Sequence, residues 1–307
     1  METYYSSIFN EVFGPIMIGT SSSHTAGPYR IGSIARMLLG ETVKKARIAF
    51  DPDSSYASYY KLQWSDRGFT AGLFGGKIDT EDMTDAMEIA KERGMESEFV
   101  KEPQEDKHAD YAYMELEGIN GDKMTLDTKS TGGAAIEIVG IDGFPILIKG
   151  DLNAAFFYLN GNVDREAFEA QVKNVITEKF RVKESEADGV KMYYLETRQF
   201  LKDKDIEKLT EIAGVERVRY TEHILPVLSR FDYEEMPFRT AEGALEYAKA
   251  ENLSAGELGI RYEMARSGYS REEVMDLMKN VVRVMRSSAR HAIDNMTDEK
   301  IGGIYPL

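Results

Sequence analysis

Ser21-Ser22-Ser23-His24-Thr25-Ala26-Gly27-Pro28 runs straight into a helical pattern in which Ile31, Ile34, Ala35, Leu38 and Leu39 recur at i, i+3, i+4, i+7 and i+8. That spacing gathers the apolar side chains on one face, which buries against a core and holds the preceding loop to it. Four hydroxyls and one imidazole fall within these eight residues. The first backbone N–H groups of a helix lack intrahelical partners. Hydroxyls at the cap satisfy some of them, and the rest can face an anion such as a carboxylate. Pro28 falls in the first turn, where a missing N–H costs little. Two readings stand: an elaborate N-cap beside a solvated histidine, or a binding site. Three serines followed by His-Thr-x-Gly-Pro favour the site.

Outward from this loop, residues 1–150 read as a mixed α/β unit. A strand is expected over Ala46 to Phe50, and a helix over Thr80 to Arg93, closed by Gly94. Tyr111 to Glu117 and Lys123 to Asp127 read as a hairpin about a glycine-bearing loop; further strands are expected at Ile136 to Val139 and Pro145 to Ile148. From 151 to 222 the order is strand (Ala154 to Leu159), helix (Asp164 to Glu178), strands (Phe180 to Lys183, Met192 to Glu196), helix (Asp203 to Ile212) and strand (Val215 to Tyr220). That βαββαβ order implies a small antiparallel sheet with helices on one face. The segment 237–307 reads as helical. Ser254 with Glu257, and Ser270 with Glu273, fit the capping-box pattern. Its last helix carries Val274, Leu277, Met278, Val281, Val282 and Met285, a stripe that either folds back on the chain or docks on a partner. The expected class is α/β in the α+β sense.

Composition narrows the function. With 307 residues and 42% hydrophobic content, the chain can build two or three domains around a sizeable core. A net charge of −15 and the lack of a dense Lys/Arg patch disfavour nucleic acid as a partner. No secretory leader pattern and no apolar run of about 18 residues is present. A cytoplasmic protein without membrane attachment is therefore expected. Cysteine is absent, so this chain supplies no disulfide, thiolate nucleophile or cysteine-held metal.

Four histidines limit the candidates for proton transfer to His24, His108, His223 and His291, and make a histidine metal site improbable. His24 stands out by its neighbours. His108 lies in a polar run, as a solvated loop histidine would, and nothing singles out His223 or His291. Tyr59 to Arg67 concentrates aromatics, Lys61, Asp66 and the only tryptophan, which suits a small-molecule pocket or an interface. Ser130-Thr131-Gly132-Gly133 offers hydroxyls and a backbone that can approach a ligand, or forms only a turn. No Walker, dinucleotide, metalloprotease or nucleophile-elbow motif is present.

Gly19 to Gly32 resembles the signature of the beta domain of iron-sulfur-dependent L-serine dehydratases (L-serine ammonia-lyases). Ser6 to Ile18 is similar to the family's lead-in, and Ser130 to Ala134 to its S-I-G-G-G stretch. Residues 151–222 sit where bacterial members carry an ACT regulatory domain. From Phe238 the helical pattern, including Glu263 and Ser270 to Val274, resembles the opening of the family's alpha domain. The resemblance implies a beta-type domain over 1–150, an ACT-like domain over 151–222 and an alpha-like segment over 237–307. It also implies elimination of water from serine or a related β-hydroxy amino acid, giving a 2-oxo acid and ammonia. The family's [4Fe-4S] cluster, a Lewis acid for the departing hydroxyl, would sit on a cysteine-bearing alpha-type partner, with a homo-oligomeric assembly expected. By the same resemblance His24, Lys61, Asp66 and His108 are the catalytic candidates. Ser21, Ser22, Ser23, Thr25, Gly27, Ser130, Thr131 and Gly132 would bind the substrate.

Departures from the pattern matter as much. Thr20 stands where proline is usual, Gln63 where the K-G-H-x-T-D segment has its histidine, and Asp110 where the H-x-N pattern has asparagine. Glutamine cannot exchange a proton near neutral pH. Gly161-Asn162-Val163 replaces the usual Pro-Gly of the ACT-like stretch. A non-catalytic amino-acid or carboxylate-binding regulator of the same origin is the alternative to an enzyme subunit.

Overall fold

The computed structural model describes residues 4–231 and 236–294; the expected helical residues 295–307 lie outside that range. Two compact units emerge, one from 17–225 and one from the N-terminal residues through Ile16 together with those from Pro226 onward.

In the larger unit the apolar stripe after the serine loop forms α1 (Gly27–Leu39), with Pro28 in its first turn and Gly40 in the left-handed conformation at its end. Ile31, Ile34 and Leu38 are fully buried, as the spacing predicts. Following in order are β1 (Val43–Phe50), α2 (Ser55–Tyr59), α3 (Ser65–Phe74), α4 (Ala86–Glu92) and β2 (Glu96–Lys101). Next come β3 (Tyr111–Gly118), β4 (Lys123–Gly132), β5 (Ala135–Ile141) and β6 (Phe144–Ile148). They make one six-stranded sheet, ordered β2-β1-β3-β4-β5-β6. Its β1–β2 pair is parallel; the remaining neighbours are antiparallel.

The second sheet comes from β7 (Asn153–Leu159), α5 (Arg165–Val172), β8 (Phe180–Ala187), β9 (Val190–Thr197), α6 (Asp203–Thr210) and β10 (Val215–Thr221). The strand order is β10-β7-β9-β8, antiparallel throughout. One face of this sheet (Ala155, Phe157, Leu195) packs on Phe168, Val172 and Leu209 of α5 and α6. The other face, with Phe156 and Tyr194, joins Ile34 and Leu38 of α1 and Met114 and Ile138 of the first sheet in a single core. Burial of both faces explains why Ala154 to Phe157 reads as continuously apolar. Arg219 of β10 reinforces the junction: it is 3% exposed and donates to the carbonyls of Leu38 (3.0 Å) and Lys123 (2.8 Å) and to Asp122 (3.1 Å).

Glycines set how closely α1 and α3 cross. A Cβ at Gly72 would lie 2.3 Å from the carbonyl oxygen of Tyr29, one at Gly32 2.4 Å from that of Phe69, and one at Gly68 2.4 Å from that of Thr25. Only glycine permits this approach, which holds the first half of α1 and the Thr25 backbone just before it against α3.

The smaller unit contains α7 (Ala241–Ala250), α8 (Ala255–Ser267) and α9 (Arg271–Asp294), and the N-terminal stretch packs on α8 and α9. Ser254 and Ser270 each accept from the backbone N–H three residues on, at 3.2 Å, and Glu273 reciprocates to the Ser270 N–H at 2.7 Å. Glu257 does not reciprocate, because Arg271 and Arg261 pair with its carboxylate. Val274 of the apolar stripe is buried with Leu277 and Met278 against it, whereas Met285 is 58% exposed.

Several element bounds differ from the sequence reading. The helix expected over Thr80 to Arg93 splits into a 3-10 turn at Glu81–Met83 and α4, with no side-chain cap at Asp85; Asp82 instead accepts from the Lys77 N–H at 2.9 Å. The helix expected to Glu178 stops at Val172, where the N–H groups of Asn174 and Val175 tighten onto the carbonyls three residues back, and Gln199 Oε1 accepts from the N–H groups of Thr177 (2.8 Å) and Glu178 (3.1 Å) beyond it. Strands β8 and β9 are longer than expected and meet at Asp188-Gly189, both with positive φ (50° and 77°), the two-residue hairpin turn that such a pair specifies. No described helix is long and apolar enough to cross a membrane.

Candidate active site

Ser21 to Pro28 does not enter α1 directly. Residues Ser22–Ala26 form one wide π-type turn, capped by Ser21, whose Oγ accepts from the His24 N–H at 3.2 Å. The Thr25 N–H goes to the Ser21 carbonyl (2.8 Å) and the Gly27 N–H to that of Ser22. These amides are consumed inside the turn. Beside these spent amides the loop offers an imidazole and hydroxyls.

His24 is 7% exposed. Its Nδ1 lies 3.1 Å from Ser23 Oγ, its Nε2 2.9 Å from Ser55 Oγ and 3.5 Å from Asp110 Oδ1, and its ring meets Tyr56 edge-on with centroids 5.3 Å apart. Ser23 Oγ lies 3.3 Å from Ser21 Oγ. The result is a chain of polar groups, Ser21–Ser23–His24–Ser55, with the imidazole at its buried centre. Burial lowers the His24 pKa below 6.5 and the Asp110 carboxylate opposes that shift. The imidazole is neutral at pH 7, so it can accept a proton.

The groups around His24 come from three elements. Asp51 closes the turn after β1 by accepting from the N–H groups of Asp53 (3.1 Å) and Gln104 (3.0 Å); Lys107 and these amides hold its pKa down at about 2. Ser54 then caps α2 through the Ala57 N–H at 3.0 Å, which places Ser55 and Tyr56 in its first turn. The Ser55 N–H donates to the Ala109 carbonyl (2.9 Å) and the Ser130 N–H to that of Asp110 (3.1 Å), so Asp110 is anchored from two sides. Ser130 Oγ donates to the Ser23 carbonyl at 2.9 Å, and a Cβ at Gly27 would lie 2.4 Å from that Oγ. Gly27 is thus required by close packing. Thr25 Oγ1 donates to the Gln63 carbonyl at 2.9 Å, joining the turn to the segment before α3.

Three buried oxygens in this region, Thr20 Oγ1, Ser65 Oγ and Asp110 Oδ1, have no hydrogen-bond partner among the described residues. Thr20 precedes the cap, Ser65 opens α3, and Asp110 faces His24. Buried polar atoms are seldom left unsatisfied, and a ligand is one way to satisfy them.

The structure thus brings together Ser21, Ser23, His24, Thr25, Gly27 and Ser130. Ser22 lies half-buried in the same turn. The other candidates make no hydrogen bond to His24 among the described residues. Lys61 is exposed, with its ammonium 5.7 Å from the Tyr60 ring centroid. Asp66 is half-buried, accepts from the Arg67 N–H at 2.8 Å, and has its pKa raised by burial. Among the described residues no hydrogen bond joins either to His24. His108 is exposed and its Nδ1 accepts from the Asp110 N–H at 3.1 Å, which shapes the loop holding Asp110. Thr131 is exposed, and Gly132 (φ 99°) starts the β4–β5 turn. Sequence reasoning did not select Ser55, Tyr56 or Asp110. The turn Asp51-Pro52-Asp53-Ser54, which caps α2, was the available signal for the first two. Among the described residues no three metal-ligating side chains gather into a site.

No family model matches the chain. Two curated proteins do. It is 29% identical over 220 residues to the probable L-serine dehydratase, beta chain, of Bacillus subtilis (strain 168), covering 70% of this chain and 97% of that protein. It is 31% identical over 150 residues to the L-serine dehydratase, beta chain, of Peptoniphilus asaccharolyticus, covering 48% of this chain and 66% of that protein. The chain belongs to the L-serine dehydratase beta-chain family. As an L-serine dehydratase beta-chain relative, it has the mixed α/β fold with two sheets described above.

Proposed function

We propose that this chain is the beta-type subunit of a cytoplasmic dehydratase that eliminates water from serine or a related β-hydroxy amino acid, with the iron-sulfur cluster on a separate alpha-type partner. The His24 cluster carries this reading: a buried imidazole, neutral at pH 7, linked through Ser23 and Ser21 in one direction and Ser55 in the other. A proton leaving the substrate's α-carbon can be held at His24 and moved along these hydroxyls. As the Cα–H bond breaks, its electrons form the Cα=Cβ bond, and the Cβ–O bond breaks with its pair on oxygen. The enamine then becomes an imine, and water hydrolyses it to the 2-oxo acid and ammonia. Hydroxide is a poor leaving group, so its departure needs activation. With no cysteine, this chain cannot hold a thiolate-bound cluster, and that activation falls to the partner. The name "beta chain" carried by both relatives supports such a companion.

A carboxylate-binding regulator is the second reading. It is favoured by Gln63, which cannot exchange protons and whose carbonyl serves to tie down Thr25. Co-purification with the cysteine-bearing chain, followed by iron and sulfide analysis and assay of 2-oxo acid release from L-serine and L-threonine, separates the two. The enzyme reading predicts a cluster-bearing complex with turnover. A complex that binds the amino acid without turning it over selects the regulator.

A further inference from the structure

A cavity of about 490 Å³ opens at the far end of α1 from His24, lined by Arg36, Met37, Val43, Leu73, Phe74 and Met95. None of the His24 cluster lines it. With 13 residues in α1, about 20 Å of helix separates the two regions. Apolar side chains make most of the wall, but two guanidinium groups stand in it. Arg36 packs over Gly75, where a Cβ would lie 3.3 Å from its Nε, and that buried Nε has no hydrogen-bond partner among the described residues. The Arg93 guanidinium is stacked 4.7 Å from the Phe74 ring centroid and donates to the Phe74 carbonyl at 3.1 Å.

Two carboxylates, Glu41 and Glu222, line the same cavity, but among the described residues neither is hydrogen-bonded or ion-paired to Arg36 or Arg93. Glu41 spends both carboxylate oxygens on the N–H groups of Asn120 (2.8 Å) and Asp122 (3.0 Å). The carbonyls ending α1 and α3 accept from Gly40, Gly75 and Gly76. Glu222 is exposed and Arg36 is half-buried, with its Nε the one buried donor here that lacks a hydrogen-bond partner among the described residues. An unpaired guanidinium N–H in such a place is costly unless an anion meets it.

We propose that this cavity binds a small carboxylate with an aliphatic body, its carboxylate on Arg36 and Arg93 and its chain among Met37, Val43, Leu73 and Met95. The same chemistry is presented by an aliphatic amino acid and by the corresponding simple acid. Glu222 gives the amino acid one extra partner for its ammonium.

Isothermal titration of the full-length protein with 4-methylpentanoate, L-leucine and inorganic phosphate tests this. Saturable binding of the two carboxylates is expected, with phosphate weaker and Arg36→Gln weakening both carboxylates about tenfold or more. A tighter fit of L-leucine that Glu222→Gln abolishes identifies an amino acid as the ligand. Equal or weaker binding of L-leucine identifies the simple acid. Hydrogen exchange on the unmutated protein supplies a measure independent of whether the variant folds: 4-methylpentanoate should slow exchange around Arg36 to Val43 and Phe74 to Gly76. Absence of saturable carboxylate binding, unchanged affinity in folded Arg36→Gln, phosphate binding as tight as 4-methylpentanoate, or exchange unaltered at those segments overturns the proposal.

Discussion

Two regions of this molecule bury charged or titratable side chains, and they do so in opposite ways. In the smaller unit Glu263 and Arg266 are both 0% exposed and bound to groups fixed by the fold. Glu263 accepts from Ser7 Oγ (2.7 Å) and the Ile8 N–H (2.8 Å), while Arg266 donates to the carbonyls of Tyr5 (2.9 Å) and Leu228 (3.3 Å) and to Ser229 Oγ (2.8 Å). Neither side chain has a buried polar atom without a hydrogen-bond partner among the described residues. Around His24 the imidazole is held in place, yet Asp110 Oδ1, which lies 3.5 Å from His24 Nε2, and Ser65 Oγ and Thr20 Oγ1 have no hydrogen-bond partner among the described residues. A fully satisfied buried ion fastens backbone; an incompletely satisfied polar cluster has capacity for chemistry.

Substitutions sharpen this contrast. The largest effect on stability is expected from Arg266→Met, which removes three donated hydrogen bonds and leaves their acceptors buried. Urea unfolding should show a loss of about 3–5 kcal/mol. A loss below about 1 kcal/mol would show that the cluster is not the structural fastening described.

A smaller effect concerns pH. The folded state lowers the proton affinity of His24, so below pH 6.5 the unfolded chain binds more protons than the folded one. Stability contributed by the neutral imidazole is present above about pH 6.5 and is lost as pH falls through the lowered folded value. His223, also lowered by burial, contributes in the same sense. Unfolding midpoints should therefore drop between pH 7.5 and 5.5, less so in His24→Gln, and least in the variant with His223→Gln added. An unchanged slope in His24→Gln contradicts a depressed His24.

The smallest stability effect is expected from Asp110→Asn. Because Oδ1 makes no hydrogen bond, replacing it should cost less than about 1 kcal/mol, while activity of the assembled complex falls. A large loss of stability would move Asp110 into the same class as Glu263.

Much of the fold was legible because local patterns and the final packing agree. The α1 stripe, the βαββαβ order and the Ser270–Glu273 cap each follow from spacing or side-chain chemistry within a few residues. Strand β2 was not legible: Glu96 to Lys101 alternates weakly and owes its place to parallel pairing with β1, a contact remote in sequence. The site shows the same division. Ser21 to Gly27 announce themselves by density, whereas Ser55 and Asp110 reach His24 only after the turn at Asp51 and the Ala109 carbonyl bring separate elements together. Lys61 and Asp66 illustrate the converse, since they match a motif in order while lying outside the hydrogen-bond network of His24.

The most direct measurement compares 2-oxo acid release from L-serine by this chain assembled with the proposed cysteine-bearing partner, carrying in turn the unaltered sequence, His24→Ala and His223→Ala. The account predicts a loss of about 100-fold or more for His24→Ala at unchanged circular dichroism and near-normal turnover for His223→Ala. Equal rates in the two variants would contradict it.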